Sequence, residues 1–170
     1  MPVLELIKAT VETIGSEKIN FTDEDLTNRT LKAYKLKGSN FTRVKFCSAT
    51  LEDTDLSEAT LEWADFSDAS LINCDFSNAK LFQANLSDAK VEDCNFKGAY
   101  MGKADLRGVK LMEVDLSNSK LHYADLRGAD LEKTNMEGID LRWSRYNDDT
   151  IWPHEKFDPS AAGALFYGRE

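Results

Sequence analysis

Residues 64–94 read ADFSDASLINCDFSNAKLFQANLSDAKVEDC, and the spacing inside this stretch decides the fold. A bulky apolar residue returns at every fifth position, as at Phe66 and Leu71. The same period runs from Phe21 to Ile151, where all 27 such positions hold Leu, Phe, Met, Val, Ile or Tyr. With 42% hydrophobic residues in the chain, chance would give this run on the order of once in ten billion trials. The chain is therefore built from a five-residue repeat.

Two positions of each repeat are predicted to face inward: the bulky centre and the residue two positions before it. From Ser39 to Ser144 that earlier position is nearly always small, as at Ala64 and Ala69. Two inward residues separated by one outward residue form a three-residue strand, because strand side chains alternate between faces. The next two residues are both polar, and a pleated strand cannot place two successive side chains outward. Each repeat is thus a short strand and a corner, and the chain coils on itself.

The corner residues, which come two positions after each centre, indicate how many repeats form one coil. On most alternate repeats they are Asn, Asp or Gly, as at Asn28 and Gly38, and these types tolerate a positive φ. On many of the intervening repeats they are larger, as at Arg43 and Trp63, and we expect turns without a positive φ there. This alternation predicts an even number of repeats per coil, and four is the smallest even number that can enclose Leu and Phe.

The stretch quoted above resembles the pentapeptide-repeat family, whose pattern is A(D/N)LXX, and the resemblance extends from residue 19 to about residue 145. It implies a right-handed quadrilateral parallel β-helix with 20 residues per coil. We therefore expect an all-β solenoid of about six coils over residues 19–146. At a parallel strand spacing of ~4.8 Å, such a rod would be roughly 30 Å long.

Both ends of the solenoid are predicted to carry caps, because the first and last coils expose unpaired strand edges. Leu4, Ile7, Val11 and Ile14 recur at helical spacing, which predicts a short N-terminal α-helix cap within residues 1–18. The last segment, residues 147–170, is similar to the C-terminal extension of some bacterial pentapeptide-repeat proteins, and we expect it to be a capping tail.

Composition and charge exclude several classes of function. The net charge of -9 opposes direct binding to nucleic acid, because phosphate contacts are made by Lys and Arg. No apolar run approaches the ~20 residues that cross a bilayer, and the first residues do not resemble a secretion signal. His122 and His154 are the only histidines, and neither has a Ser, Cys or carboxylate at a recognisable catalytic or metal-binding spacing. We expect a cytoplasmic protein that is not an enzyme and takes no cofactor or metal.

Two groups of side chains each allow a second interpretation. Asp65, Asn85, Asp105 and Asp125 form a column that could hold a divalent cation, although hydrogen bonds from turn amides are the favoured explanation. Cys74 and Cys94 are 20 residues apart and so lie on adjacent coils. A disulfide between them is an alternative, but side chains that run parallel do not easily reach its ~90° dihedral angle, so reduced thiols are favoured.

The outward aromatic residues supply the candidate site. When the sequence is written in rows of 20 residues, one row per predicted coil, several aromatic residues fall on one side of the solenoid. Cations also outnumber carboxylates on that side. Such a surface has the composition of a protein interface. The predicted interface residues are Trp63, Phe82, Tyr100, His122, Tyr123, Arg142 and Trp143.

We therefore predict a non-enzymatic scaffold that binds an unidentified protein partner, or a second copy of itself, through this side. Folding of the C-terminal tail over the same rings is the structural alternative. The family resemblance supplies a second function, an acidic rod that mimics DNA and acts on a DNA-binding enzyme such as gyrase.

Overall fold

The computed structural model of the protein describes residues 18–168. Within this part of the chain all regular structure is β, and no segment is helical. The strands are β1 (Thr30–Lys32), β2 (Thr50–Glu52), β3 (Ser70–Ile72), β4 (Lys90–Glu92), β5 (Lys110–Asp115), β6 (Asp130–Asn135), β7 (Arg145–Tyr146) and β8 (Leu165–Phe166). The predicted N-terminal helix cap falls almost entirely on residues 1–17, which lie outside the described part.

Parallel pairing between equivalent residues of successive coils defines the solenoid. Strands β1 to β6 form one parallel sheet in chain order, with Leu31 opposite Leu51 and Leu51 opposite Leu71. Three further ladders of parallel bridges follow the same register, and they start at Asn20, Asp25 and Lys35. Each coil therefore pairs with the next coil at four places.

The solenoid has about seven turns, whereas the sequence predicted about six. The ladder that starts at Asn20 passes through seven coils and ends at Asp140. Pairing then continues into the C-terminal segment, where β8 lies parallel to β7 with Leu165 opposite Arg145. The prediction was short because it stopped the coil where the five-residue period fades, while the backbone keeps its pairing beyond that point.

The core is a set of apolar ladders along the axis of the coil. Its centre residues from Phe21 to Leu131 are all buried, and the small residues before them fill the remaining space. Phe46 stacks on Phe66 with ring centroids 4.7 Å apart, and Phe76 stacks on Phe96 at 4.6 Å. Each layer contacts the layers above and below it, so stability should be a sum over neighbouring coils.

The corners correct one sequence-based prediction. Arg43, Trp63, Tyr123 and Trp143 were expected in turns without a positive φ, but their φ values are 58°, 57°, 60° and 64°. From Asp23 to Trp143 the corner residues adopt this left-handed conformation at every repeat except Lys133, whatever their side chain. The register between coils sets the corner geometry, and the residue type at a corner does not override it. The coil length therefore rests on the pairing register and not on an alternation of turn types.

Candidate functional site

The outward rings of the solenoid form one continuous aromatic wall, which we define as Trp63, Phe82, Tyr100, His122, Tyr123 and Trp143. Successive coils bring these residues together because each backbone segment pairs with the equivalent segment of the next coil. For example, the amide of Trp63 donates a hydrogen bond to the carbonyl of Phe82, and the amide of Tyr123 donates one to the carbonyl of Arg142. The wall therefore follows the axis of the coil.

Ring contacts join the wall from one end to the other. Trp63 meets Phe82 edge to face at 6.4 Å between centroids, and Phe82 stacks on Tyr100 at 5.9 Å. Tyr100 contacts His122 at 5.2 Å, and His122 meets the edge of Tyr123 at 6.0 Å. The last pair, Tyr123 and Trp143, is nearly parallel at 6.4 Å. Neighbouring rings restrain one another, which keeps this surface preorganised.

The wall is exposed to solvent. The exposed fractions of Trp63, Tyr123 and Trp143 are 46%, 54% and 56%. Aromatic residues of this size are normally placed where they bury about 150–250 Å² each, a typical range for Phe, Tyr and Trp. A contiguous row of rings that remains in water is therefore a candidate interaction surface.

Three wall residues are held in a conformation that disfavours them. Trp63, Tyr123 and Trp143 are corner residues with a positive φ, where Gly or Asn is the least strained choice. The same protein places Gly38, Gly98 and Gly108 at other corners with similar φ values. The coil imposes the same conformation at nearly every corner, so the backbone does not select these residue types and a large ring gains no local stability there. The large rings at these corners therefore need an explanation other than local stability.

The ring of His122 packs against Gly102. A Cβ atom added to Gly102 would lie 2.6 Å from the His122 ring, so only Gly leaves room for this ring at that position. In this position His122 Nε2 lies 3.2 Å from the Tyr100 hydroxyl, within hydrogen-bonding distance. His122 is thus part of the wall surface, and the geometry fixes its ring between Tyr100 and Tyr123.

Charges beside the wall are partly neutralised by ion pairs. The Arg142 guanidinium donates hydrogen bonds to Asp140 at 2.7 and 2.9 Å, and Arg43 is paired with Asp23. These bonds from Arg142 hold the pKa of Asp140 below its ordinary value. Lys103 instead places its ammonium 5.7 Å from the centroid of the Phe82 ring, a cation–π geometry. Its positive charge therefore lies directly against the rings.

The C-terminal tail packs beside the wall and leaves it open. Trp152 contacts Tyr146 and stacks on Phe157, so these tail rings cover the last coil. The carbonyl of Gly163 accepts a hydrogen bond from the amide of Trp143, yet the Trp143 ring stays exposed. The structural alternative, in which the tail folds over the rings, does not hold for the tail residues up to 168.

The column of Asp65, Asn85, Asp105 and Asp125 makes the hydrogen bonds that were expected of it. Each side chain accepts a bond from the amide two residues later, for example from Arg127 to Asp125 at 3.2 Å. Arg107 and Arg127 also donate side-chain bonds to Asp105 and Asp125. Burial opposes ionisation of Asp125, but the bonds from Arg127 outweigh it and hold the Asp125 pKa below its ordinary value. The column is thus explained by its corner geometry and ion pairs.

Cys74 and Cys94 are buried free thiols on adjacent coils. The Cys74 amide donates a hydrogen bond to Cys94 Sγ at 3.3 Å, and the Cys74 thiol donates to the carbonyls of Leu51 and Ile72. The contact with the Cys74 thiol, together with burial, raises the pKa of Cys94. The favoured interpretation as reduced core residues agrees with this geometry.

Sequence reasoning missed the groove that borders the wall. Tyr123, Trp143, Arg145 and Tyr167 are among the residues that line this groove. The groove encloses about 530 Å³. Arg145 lies 5.1 Å from the centroid of the Tyr167 ring, and β8 brings these two residues together. The tail carries no five-residue period, so no sequence signal could have placed Tyr167 there.

In the described part of the chain, no helix is long and apolar enough to span a membrane.

Comparison with solved structures finds the same architecture. Rfr23, a pentapeptide repeat protein from the cyanobacterium Cyanothece 51142, is 19% identical with a TM-score of 0.59, and the match covers 88% of this chain and 99% of Rfr23. A trypsin-treated variant of QnrB1, a plasmid-mediated fluoroquinolone resistance protein, is 17% identical with a TM-score of 0.58, covering 76% of this chain and 70% of that one. At these identities the likeness shows the fold alone.

Family models add the sequence evidence. No curated protein matches the chain. The model described as pentapeptide repeats (8 copies) matches residues 25–62, and the model described as pentapeptide repeat region matches residues 64–142. The two matches adjoin one another and together cover well over half of the 170 residues. The chain therefore belongs to the pentapeptide-repeat family.

Proposed function

We propose that the protein is a non-enzymatic scaffold that binds a protein partner through the aromatic wall. The observation that carries this proposal is the placement of Trp63, Tyr123 and Trp143 at left-handed corners with their rings in water. These residues strain the backbone and bury little surface, so the fold gains little from them. A partner that covers the rings would recover the apolar burial that the isolated chain lacks.

Rigidity favours binding by such a surface. The rings stand on a backbone that is hydrogen-bonded coil to coil, and each ring is restrained by its neighbours. A preorganised surface loses less conformational entropy on association than a flexible one. The partner is a different protein or a second copy of this chain, and the reduced core thiols suit a cytoplasmic setting.

The experiment is partner capture with a double variant, Trp63→Ser together with Tyr123→Ser. We expect the variant to keep its circular dichroism spectrum and to melt within a few degrees of the parent, because both side chains are exposed. Recovery of partners from the native lysate, or self-association measured by light scattering, should fall sharply. The control is Met112→Ser, which removes an apolar side chain of similar exposure from outside the wall.

Three outcomes of this experiment contradict the proposal. Undiminished capture by a folded double variant would show that binding occurs elsewhere. Loss of the fold would show that the rings are structural. A loss of capture that Met112→Ser reproduces would point to nonspecific apolar contact.

The acidic DNA-mimic remains the second candidate, favoured by the net charge of -9. A mimic needs a continuous negative surface, whereas the columns that form the wall carry Arg43, Lys80, Lys103, Lys120 and Arg142 against Asp23, Glu62 and Asp140. Five cations against three carboxylates leave this side positive, so the candidate is the weaker one. Competition with DNA for binding to gyrase distinguishes the two functions.

We also propose the right-handed quadrilateral form that the family resemblance implies, with a helical cap over residues 1–18. Four pairing ladders per coil support four sides. A crystal structure would test the hand of the coil and the cap directly. Deletion of residues 1–15 should promote end-to-end association in light scattering, because an uncovered parallel edge can pair with another chain.

A further inference from the structure

The groove beside the wall combines rings and cations. It is lined by Lys103, Tyr123, Trp143, Arg145 and Tyr167, together with two arginine–aspartate pairs. Lys103, Arg107, Arg127 and Arg145 are its four cations, and Asp105 and Asp125 are its two carboxylates. The lining is therefore positive by two charges in a chain whose net charge is -9. Charge complementarity selects an acidic occupant.

The cations of the groove differ in how they are held. Arg107 and Arg127 donate paired hydrogen bonds to Asp105 and Asp125. Lys103 and Arg145 rest on the Phe82 and Tyr167 rings, and among residues 18–168 neither of them is ion-paired with a carboxylate. A cation on an aromatic face keeps its charge available to a second, anionic partner. Lys103 and Arg145 are thus the two groups that can receive carboxylates from a ligand.

The spacing of these two cations limits the ligand. Lys103 belongs to the column of residues 103, 123 and 143, and Arg145 belongs to the neighbouring column of Asp105 and Asp125. Lys103 and Arg145 therefore lie on adjacent columns, two coils apart along the axis. Two coils correspond to an axial distance of about 10 Å at the usual parallel spacing. A polyproline II helix rises about 3.1 Å per residue with three residues per turn, so its side chains at positions i and i+3 share a face and are ~9.3 Å apart. The axial component of the separation between Lys103 and Arg145 is therefore close to this repeat.

The rings between the two cations suit the same ligand. Tyr123 and Trp143 form a nearly parallel pair of rings that lines the groove. Grooves lined by aromatic side chains recognise polyproline II segments, whose fixed conformation loses little entropy on binding. The apolar residues between two carboxylates would pack against these two rings.

Resting on the proposed function, we propose that this groove binds an acidic polyproline II segment of the partner protein. Two carboxylates three residues apart meet Lys103 and Arg145, and the intervening prolines pack against Tyr123 and Trp143. The ligand class is therefore a peptide of the pattern Glu-Pro-Pro-Glu.

The test uses three acetylated and amidated peptides on the full chain. The first is Glu-Pro-Pro-Glu, the second is Glu-Glu-Pro-Pro with the same composition and adjacent carboxylates, and the third is the uncharged Gln-Pro-Pro-Gln. NMR of the three tryptophan side-chain N–H groups reports the site. We expect Glu-Pro-Pro-Glu to shift the Trp143 signal and to leave those of Trp63 and Trp152 in place. The other two peptides should bind about tenfold more weakly, since each loses at least one charge-assisted contact.

Matched variants test the role of Lys103. Lys103→Gln is compatible with the corner, because Gln83 occupies the same column with a φ of 57°. It should weaken Glu-Pro-Pro-Glu binding about tenfold, the loss expected for one charge-assisted contact. Lys110→Gln, an exposed lysine on β5, should leave the affinity unchanged.

Three results would overturn the proposal: equal binding of the three peptides, equal effects of the two lysine variants, or preferential binding of a short oligothymidylate. If the peptides fail while Trp63→Ser with Tyr123→Ser still abolishes partner capture, the wall is the interface and its partner has a different chemistry. If the peptides bind but that double variant does not affect partner capture, the proposed function of the wall is wrong while peptide binding in the groove stands.

Discussion

Glycine at two corners separates the strain of the backbone from the contribution of the rings. Gln83 and Tyr123 occupy the same column, with φ values of 57° and 60°. Gln83→Gly and Tyr123→Gly therefore relieve the same left-handed strain. Only the second variant also removes a wall ring, which contacts His122 and Trp143. The difference between the two variants measures what the ring contributes to the fold.

The expected magnitudes follow from the two local conformations. A left-handed non-glycine residue is strained by roughly 1–2 kcal/mol. Glycine makes the unfolded chain more flexible, which offsets about 0.4–1 kcal/mol of that gain. Gln83→Gly should thus raise the free energy of unfolding by about 0.5–1 kcal/mol. Tyr123→Gly also loses two ring contacts, each worth about 0.5 kcal/mol, the lower end of the usual range, because the rings are solvent-exposed, so its net change should be near zero.

Urea denaturation followed by far-ultraviolet circular dichroism measures both changes, because the signal comes from the β-structure and not from the substituted ring. A loss of more than about 2 kcal/mol in Tyr123→Gly alone would show that the wall supports the fold. A loss in Gln83→Gly would refute the strain argument itself. Either result removes the main reason for assigning the rings to binding.

Three further predictions concern the core and the charged column. Phe76→Ala should lower the free energy of unfolding by about 3–4 kcal/mol in urea melts, because Phe76 is fully buried and stacks on Phe96; a change below about 1 kcal/mol would contradict the assignment of the centre positions to the core. Ser144→Ala should raise that free energy by about 1 kcal/mol, because the buried Ser144 hydroxyl has no hydrogen-bond partner among the described residues and the same position is Ala in the four preceding coils; thermal melting of the variant at or below the parent value would contradict this. The depressed pKa of Asp125 contributes stability that is complete above about pH 5 and is lost as the pH falls through the folded-state value. Asp125→Asn should therefore flatten the acid branch of a stability–pH curve, and an unchanged acid slope would show that this ion pair does not contribute.

The core could be predicted from the sequence because one physical rule determines it. A bulky residue at every fifth position has to face inward, and Phe46, Phe66 and Leu86 are accordingly buried on successive coils. The rings of Trp63, Phe82 and Tyr123 could be grouped on one side by the same register. That grouping makes the rings neighbours, and no further sequence signal specifies how they contact one another.

Two features could not be predicted, for different reasons. The positive φ of Trp63 and Tyr123 contradicts the preference of those residue types, because pairing with the neighbouring coils imposes the corner on whatever side chain is present. The groove depends on Tyr167 and Arg145, which the tail brings together through β8. Nothing periodic marks that segment, so its path is fixed by tertiary pairing alone.

Photocrosslinking tests the central claim, that the partner covers the aromatic wall, most directly. A benzophenone amino acid is placed at position 123 in one protein and at position 112 in another, where the native side chains are 54% and 50% exposed. Irradiation in the native lysate should give a discrete crosslinked adduct from position 123 and none from position 112. Adducts of equal yield from both positions, or an adduct from position 112 alone, would contradict the account.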